Sequence, residues 1–454
     1  MFTTTKSTRI LILLFIGVLM GALDISIVGP AMPSIEKSLH VEARDLSWIF
    51  SIYVLFNLVG ISFMAKMSDA HGRRLIYIIA VAVFGLGSLI VSLSHETVML
   101  LAGRAIQGFG ASGIFPVASA TIGDVFPVEK RGRALGLIGA VFGIAFILGP
   151  FIAGVMLLYF SWNALFLINL PIAVLLMIFA SRLLPSVRLE KKGDLDKAGI
   201  VMMAVILTSL TLALNNIDTH HIADSLGSWT VLPFLILTVL LTPILVMYEK
   251  IQKEPVLNVR LFQSRQVRIV GFIAFGLGLF QSTIVFLPKL AVGLFGVEPS
   301  KASFMLLPVV IATAIGSPVS GRLVDKVGSK VIIITGLFIA SVALFLLSLV
   351  TRNIVLFYTA EACLGFGLAM RASLNYIMLN EVAAIERAST QGVLVIFVSI
   401  GQLTGAALVG AITAATPGKP TGFGMAFTVM TLLSSFLVIL AFFLKGRKQE
   451  LASR

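Results

Sequence analysis

Five ionisable residues stand inside long apolar stretches of this chain: Asp24, Arg104, Lys289, Glu361 and Arg371. Charge is costly in hydrocarbon, and such residues mark ion or substrate pathways. A carboxyl in low-dielectric surroundings holds its proton firmly, and a nearby arginine loosens it. A balance of that kind, shifted by conformation or by a bound compound, can couple proton movement to another event. Asp24 and Glu361 are therefore the candidate proton carriers. Arg104 is the group that would polarise or orient one of them. A static ion pair that only stiffens the helices is the alternative.

Helical spacing groups these residues with others. Gly17, Gly21, Asp24 and Val28 share one face, as do Arg104, Gln107, Gly108 and Ala111, and Glu361, Gly365, Leu368, Ala372 and Asn375. Asp24 lies about six residues from one end of its apolar segment, and Arg104 and Glu361 about seven or eight from theirs. At 1.5 Å per residue the three share one layer. Arg104 is expected within reach of at least one carboxylate, and Asp24, Arg104, Gln107, Glu361, Arg371 and Asn375 are expected to line a cavity. Lys289, nearer a segment end, reaches the interface with its long stem.

One further motif needs a decision. Gly108-Phe-Gly110-Ala-Ser-Gly113 matches the dinucleotide fingerprint. That pattern has meaning only after a strand and at the opening of a helix. Here it sits inside an apolar segment, where small residues let helices approach closely. No phosphate-loop motif occurs elsewhere, so no cofactor is expected. The pair His220-His221, near Asp218 and Asp224, reads as a solvated loop, and no metal site is expected.

The elements that position these residues are read from composition. Of 454 residues, 58% are hydrophobic and 12% charged, with a mean hydropathy of +1.04. A soluble domain is about a quarter charged. Fourteen apolar segments are expected to span a bilayer: roughly 9–30, 45–67, 74–94, 97–122, 132–157, 162–184, 196–215, 229–249, 267–294, 302–322, 330–350, 353–379, 388–415 and 422–444. The first is too long for a signal-peptide core and reads as a spanning helix. Alternate loops and the two termini hold 26 of the 34 Lys and Arg residues, the opposite loops five, and the spans three. The positive-inside rule then puts both termini in the cytoplasm. The net charge of +13 is a topology signal, and no nucleic-acid partner is expected. The single cysteine, Cys363, excludes an intrachain disulfide.

An internal repeat organises the segments. "AKMSDAHGRR" at 65–74 recurs as "GRLVDKVGSK" at 321–330, pairing Asp69 with Asp325 and Gly72 with Gly328. "QGFG" at 107–110 recurs as "LGFG" at 364–367. Segments 1–6 thus repeat as 9–14, with 7 and 8 inserted. The expected division is 1–185 for the first six-helix bundle, 186–265 for the inserted pair, 266–445 for the second bundle and 446–454 for a cytoplasmic tail. Parallel six-span repeats are a secondary-transporter architecture.

At this level of detail the chain resembles the major facilitator superfamily, and within it the fourteen-span drug:proton antiporters. "LDISIVGPAMPSI" at 23–35 looks like that family's first-helix signature, and "WIFSIYVLFN" at 48–57 its second-helix W-x-x-x-x-Y pattern. "MAKMSDAHGRR" resembles the superfamily loop, with Ala65 for the usual glycine. "RAIQGFGAS" is similar to the fourth-helix motif. "AFILGPFIAG" at 145–154 resembles the antiporter signature through Gly149, Pro150 and Gly154, with Ala145 and Ala153 replacing glycines. The resemblance implies an all-α membrane fold of two six-helix repeats plus two helices. It implies a monomer in the cell membrane that exchanges inward protons for outward amphipathic small molecules, and no enzyme. It also implies that Asp69, Gly72, Arg73, Arg74 and Asp325 form a cytoplasmic gate, against the alternative of a solvated basic turn. An exporter dedicated to one lipid, siderophore or antibiotic, and a non-transporting sensor or scaffold, are the rival readings.

Overall fold

The computed structural model describes residues 4–41, 43–185, 196–217, 222–252, 255, 259–349, 352–380, 387–415, 420–447 and 449. Within some helices, side chains lie outside the description, including those of Arg371 and Asp325. No strand occurs among the described residues. In hydrocarbon each backbone N–H and C=O must be satisfied within its own segment or in a closed barrel, so an apolar chain of this pattern becomes helical.

The chain divides into two compact units, Met1–Val41 with Trp48–Ala204, and Glu42–Ser47 with Val205–Arg454. The first contains α1 (Thr4–Leu39), most of α2 (Ala43–His71), α3 (Arg73–Ser92), α4 (Thr97–Val125), α5 (Val128–Tyr159), α6 (Asn163–Leu167) and α7 (Asn169–Leu183). α8 (Lys197–Asn216) crosses from the first unit into the second, and α9 (Ile222–Leu226) and α10 (Leu232–Ile251) follow it. A 3₁₀ turn (Val259–Gln263) then leads into α11 (Arg265–Phe295), α12 (Pro299–Phe304), α13 (Leu307–Val327) and α14 (Ser329–Ser348). The chain continues through α15 (Ile354–Leu368), α16 (Arg371–Asn380), α17 (Arg387–Ala414) and α18 (Thr421–Ala441).

Among the described residues, 12 helices are long and apolar enough to cross a membrane. A thirteenth is counted if the two parts of α2, Leu46–Ile61 and Phe63–His71, bent by 40°, form one span. The remaining apolar segment of the sequence, 132–157, falls on α5, a 32-residue helix whose described apolar part is Leu148–Tyr159. α10 buries only Leu245 and Glu249, as a peripheral helix would. Its outward face carries Val239, Leu240, Ile244 and Met247, all exposed. Large exposed apolar side chains also cover α14 and α18, at Phe338, Phe345, Leu432 and Phe436. In a bilayer those faces meet lipid, so association inside each unit rests on close packing of small residues.

The repeat is visible as matched close approaches. A Cβ on Gly108 would collide with the Tyr53 carbonyl, and one on Gly365 with that of Val309. Gly110 lies against the backbone of Ala80 and Phe84, and Gly367 against that of Gly336 and Ala340. Gly149 meets Ser26, and Gly405 meets Ser282. The serines are also equivalent in bonding: Ser26 Oγ donates to Leu23 O at 2.9 Å and Ser282 Oγ to Leu279 O at 2.8 Å. Every pair is offset by 256 or 257 residues. Gly72 and Gly328, at φ 94° and 88°, turn the chain between α2 and α3 and between α13 and α14 in a conformation that L side chains rarely adopt. Thus α1, α3, α4 and α5 correspond to α11, α14, α15 and α17.

Candidate functional site

In the first unit α4 comes close enough to α2 and α3 to bring a long side chain among them. Gly108 admits the α2 backbone, and Gly87 on α3 leaves room for the backbone of Gln107. One turn before Gly108, Arg104 reaches between α1 and α2. Its Nη1 donates to Asp24 Oδ2 at 2.6 Å and to Gln107 Oε1 at 2.7 Å, and its Nε to the Ile49 carbonyl at 3.2 Å. The Tyr53 ring centroid lies 4.2 Å from the guanidinium carbon and the Phe166 centroid 5.7 Å. Asp24 Oδ1 accepts from Gln107 Nε2 at 2.6 Å and from Asn169 Nδ2 at 3.1 Å. Ser88 Oγ accepts from the same two amides at 2.7 and 3.2 Å.

Asp24 and Arg104 have no exposed surface. Gln107, Ser88 and Asn169 are buried with them. Burying two charges carries a desolvation penalty of several kcal/mol per ion, and such a pair persists only with good geometry and further hydrogen bonds. Both are present here. Arg104 Nη2 is the exception, without a hydrogen-bond partner among the described residues. The sequence had singled out Asp24, Arg104 and Gln107. Tyr53 stands in the second-helix motif, and no sequence pattern points to Ser88 or Asn169. Asn169, an amide in the apolar run "FLINLPIAV", was the signal available for the last.

Glu361 stands in the second unit, on α15, with no exposed surface and, among the described residues, no hydrogen-bond partner at either oxygen. Asn375, on α16, is half-buried and engaged by neighbours. The Arg371 side chain lies outside the described residues.

At the α2–α3 turn, Arg73 pairs with Asp69 and, at 2.9 Å, with Asp124 on α4, and its Nη1 donates to Ser68 Oγ at 2.8 Å. Arg74 Nε donates to the Leu184 carbonyl at 2.7 Å, tying the turn to the end of α7. These contacts all lie inside the first unit. The Asp325 side chain lies outside the described residues. In α5, Gly149 packs on Ser26, whose hydroxyl also donates to Ala145 O at 3.0 Å, and Pro150 and Gly154 are buried beyond it. The glycine pattern at 108–113 lies wholly within α4, with no strand before it. Among the described residues no group of three His, Cys, Asp or Glu side chains is placed to hold a metal.

This arrangement has parts that a membrane carrier uses, buried charge on repeated helical bundles. The family model of the Major Facilitator Superfamily matches residues 14–312 and 270–454. The chain is 34% identical to the uncharacterized MFS-type transporter YfiU of Bacillus subtilis over 88% of its length and 78% of that protein's. It is 30% identical to the multidrug transporter protein MdtP of the same organism, over 91% and 77%. In fold it is similar to a bacterial homologue of the human lysosomal transporter Spinster, with a TM-score of 0.70 at 14% identity, covering 97% of each chain. The protein is a multi-pass membrane transporter of small molecules, not an enzyme, and it belongs to the major facilitator superfamily.

Proposed function

We propose that this transporter is a fourteen-span exporter that exchanges protons entering the cell for amphipathic compounds leaving it, by alternating access. The observation that carries the proposal is the Asp24–Arg104 pair, held at 2.6 Å with no exposed surface inside the first unit. A scaffold has no evident need for desolvated charge, whereas a proton-driven carrier needs acidic groups at membrane depth. Asp24 and Glu361 are fully buried carboxyls on such spans, and Arg104 is the partner of the first. Gln107, Arg371 and Asn375 complete the proposed substrate path, and Gly149, Pro150 and Gly154 the helix that bends with it.

The multidrug relative supports the choice of substrate class. The bent α2 and the 32-residue α5 support the count of fourteen spans. The excess of Lys and Arg on one set of loops supports cytoplasmic termini and a place in the cell membrane. In this reading the protein acts as a monomer, without cofactor, metal or nucleic acid, and Asp69, Gly72, Arg73, Arg74 and Asp325 close its cytoplasmic side. One inward charge is worth about 2.3 kcal/mol per 100 mV of potential.

Ethidium export from cells carrying the protein, with proton flux followed in parallel, tests the proposal. A protonophore is expected to abolish export, and in inverted vesicles dye uptake should release lumenal protons. Export indifferent to the protonophore, or dye movement without proton movement, overturns it.

A further inference from the structure

Asp24 and Glu361, the two described carboxyls with no exposed surface, differ in kind. Every group that bonds to Asp24 is a donor: Arg104 Nη1, Gln107 Nε2 and Asn169 Nδ2. The Gln107 amide cannot be turned around, because its Oε1 already accepts from Arg104 at 2.7 Å. A proton on Asp24 would thus meet the N–H groups of Arg104 and Gln107, and it would leave Arg104 as an uncompensated buried charge. The cluster is built for an ionised aspartate.

Glu361 has the opposite surroundings. The repeat places it where Arg104 stands in the first unit, at an offset of 257. The positions equivalent to Asp24, Ser88 and Gln107 are Phe280, Leu344 and Leu364, each fully buried. The second unit has kept the ionisable position and replaced its polar partners with hydrocarbon. The charged groups on the helices packed against α15 are Arg265, Arg268 and Lys289 on α11, Arg322, Asp325 and Lys326 on α13, and Lys330 on α14, the Asp325 side chain lying outside the described residues. Among the described residues none of these groups donates to Glu361, whose oxygens have no hydrogen-bond partner there. On its own helix, Tyr358 lies within electrostatic reach, and Cys363 is two residues on. Arg371 opens the next helix, α16, and its side chain lies outside the described residues. An ionised carboxylate without donors is not tolerated in such a setting, so Glu361 is accommodated here as the neutral acid.

We propose a division of labour that rests on the antiport reading: Glu361 alone carries the exchanged proton, while Asp24 stays ionised throughout the cycle and positions Arg104. The O–H bond of the Glu361 carboxyl forms with a proton from outside and breaks to release it inside. The carboxylate left after release is re-protonated only when the site next opens outward.

Infrared difference spectroscopy tests this on the full-length protein in lipid vesicles, with a step in pH and no substrate required. Wild type should show a neutral-carboxyl stretch that disappears as the pH is raised. Glu361→Gln should lose that band, and Asp24→Asn should keep it. A band that survives in Glu361→Gln, or is lost in folded Asp24→Asn, overturns the assignment. Should Asp24→Asn fail to fold, Asp24→Asn combined with Arg104→Gln removes both charges of the pair and is read the same way. Ethidium uptake under a pH gradient is measured on the same vesicles. With the band pattern as expected and dye movement independent of the gradient, antiport fails while the protonation assignment stands. With gradient-driven uptake retained in Glu361→Gln, the division of labour fails while antiport stands.

Discussion

At the scale of single residues, Arg104 is the centre of the first unit. It joins α1, α2 and α4 through Asp24, the Ile49 carbonyl, the Tyr53 ring and Gln107. Arg104→Ala leaves Asp24 ionised and buried without its counter-ion. Breaking a buried pair in this way costs about 3–5 kcal/mol. Arg104→Lys should recover only part of that, since an ammonium lacks the planar fork that serves Asp24 and Ile49 together. Asp24→Asn with Arg104→Gln should be more stable than Arg104→Ala, because no charge is then stranded. Unfolding midpoints of the purified variants in detergent decide the order. A double variant no more stable than Arg104→Ala would mean that lost packing, not stranded charge, sets the cost. Pairing was partly legible in the sequence: hydropathy placed Asp24 and Arg104 in one layer. The amides that complete the site were not, since a lone Asn169 in an apolar run carries no mark of what it will face.

At the scale of elements, glycines set how closely helices cross. Gly278 on α11 lies against the Val398 carbonyl, and Gly401 on α17 against the Phe275 carbonyl. Backbone cannot yield as a side chain can, so Gly278→Ala or Gly401→Ala must push the two helices apart. Overpacking of this sort costs about 1–3 kcal/mol. The two changes act on one crossing, and once it has opened the second should cost less than the first. Gly123→Ala, where nothing lies within 4 Å, is expected to leave the unfolding midpoint unchanged. Fully additive losses in the double variant would show that the two glycines act independently. Periodicity identified the helices and the "QGFG"/"LGFG" repeat, but not that Gly108 and Gly365 meet the carbonyls of Tyr53 and Val309. Those contacts join residues more than 50 positions apart, and no local pattern records them.

At the scale of the whole molecule, a single titrating carboxyl has an energetic consequence. Export of a monovalent cation against one proton moves no net charge, whereas export of a neutral compound moves one. A potassium–valinomycin potential of 100 mV, worth about 2.3 kcal/mol per charge, should therefore leave ethidium accumulation in vesicles unchanged. It should alter that of a neutral substrate by up to about fiftyfold. Ethidium accumulation that follows the imposed potential would require more than one proton per turnover.

The sequence by itself determined that this chain lives in a membrane, that its spans are helical and that its two halves repeat. These follow from composition, segment length and self-similarity, which are properties of the chain before it folds. Its motifs also carried the superfamily. Tertiary structure alone decided what the two fully buried carboxyls meet: donors for Asp24, and no hydrogen-bond partner among the described residues for Glu361. The physical reason is that a charge in a low-dielectric interior is governed by the few atoms within hydrogen-bonding distance. Those atoms come from other helices, and only folding chooses them.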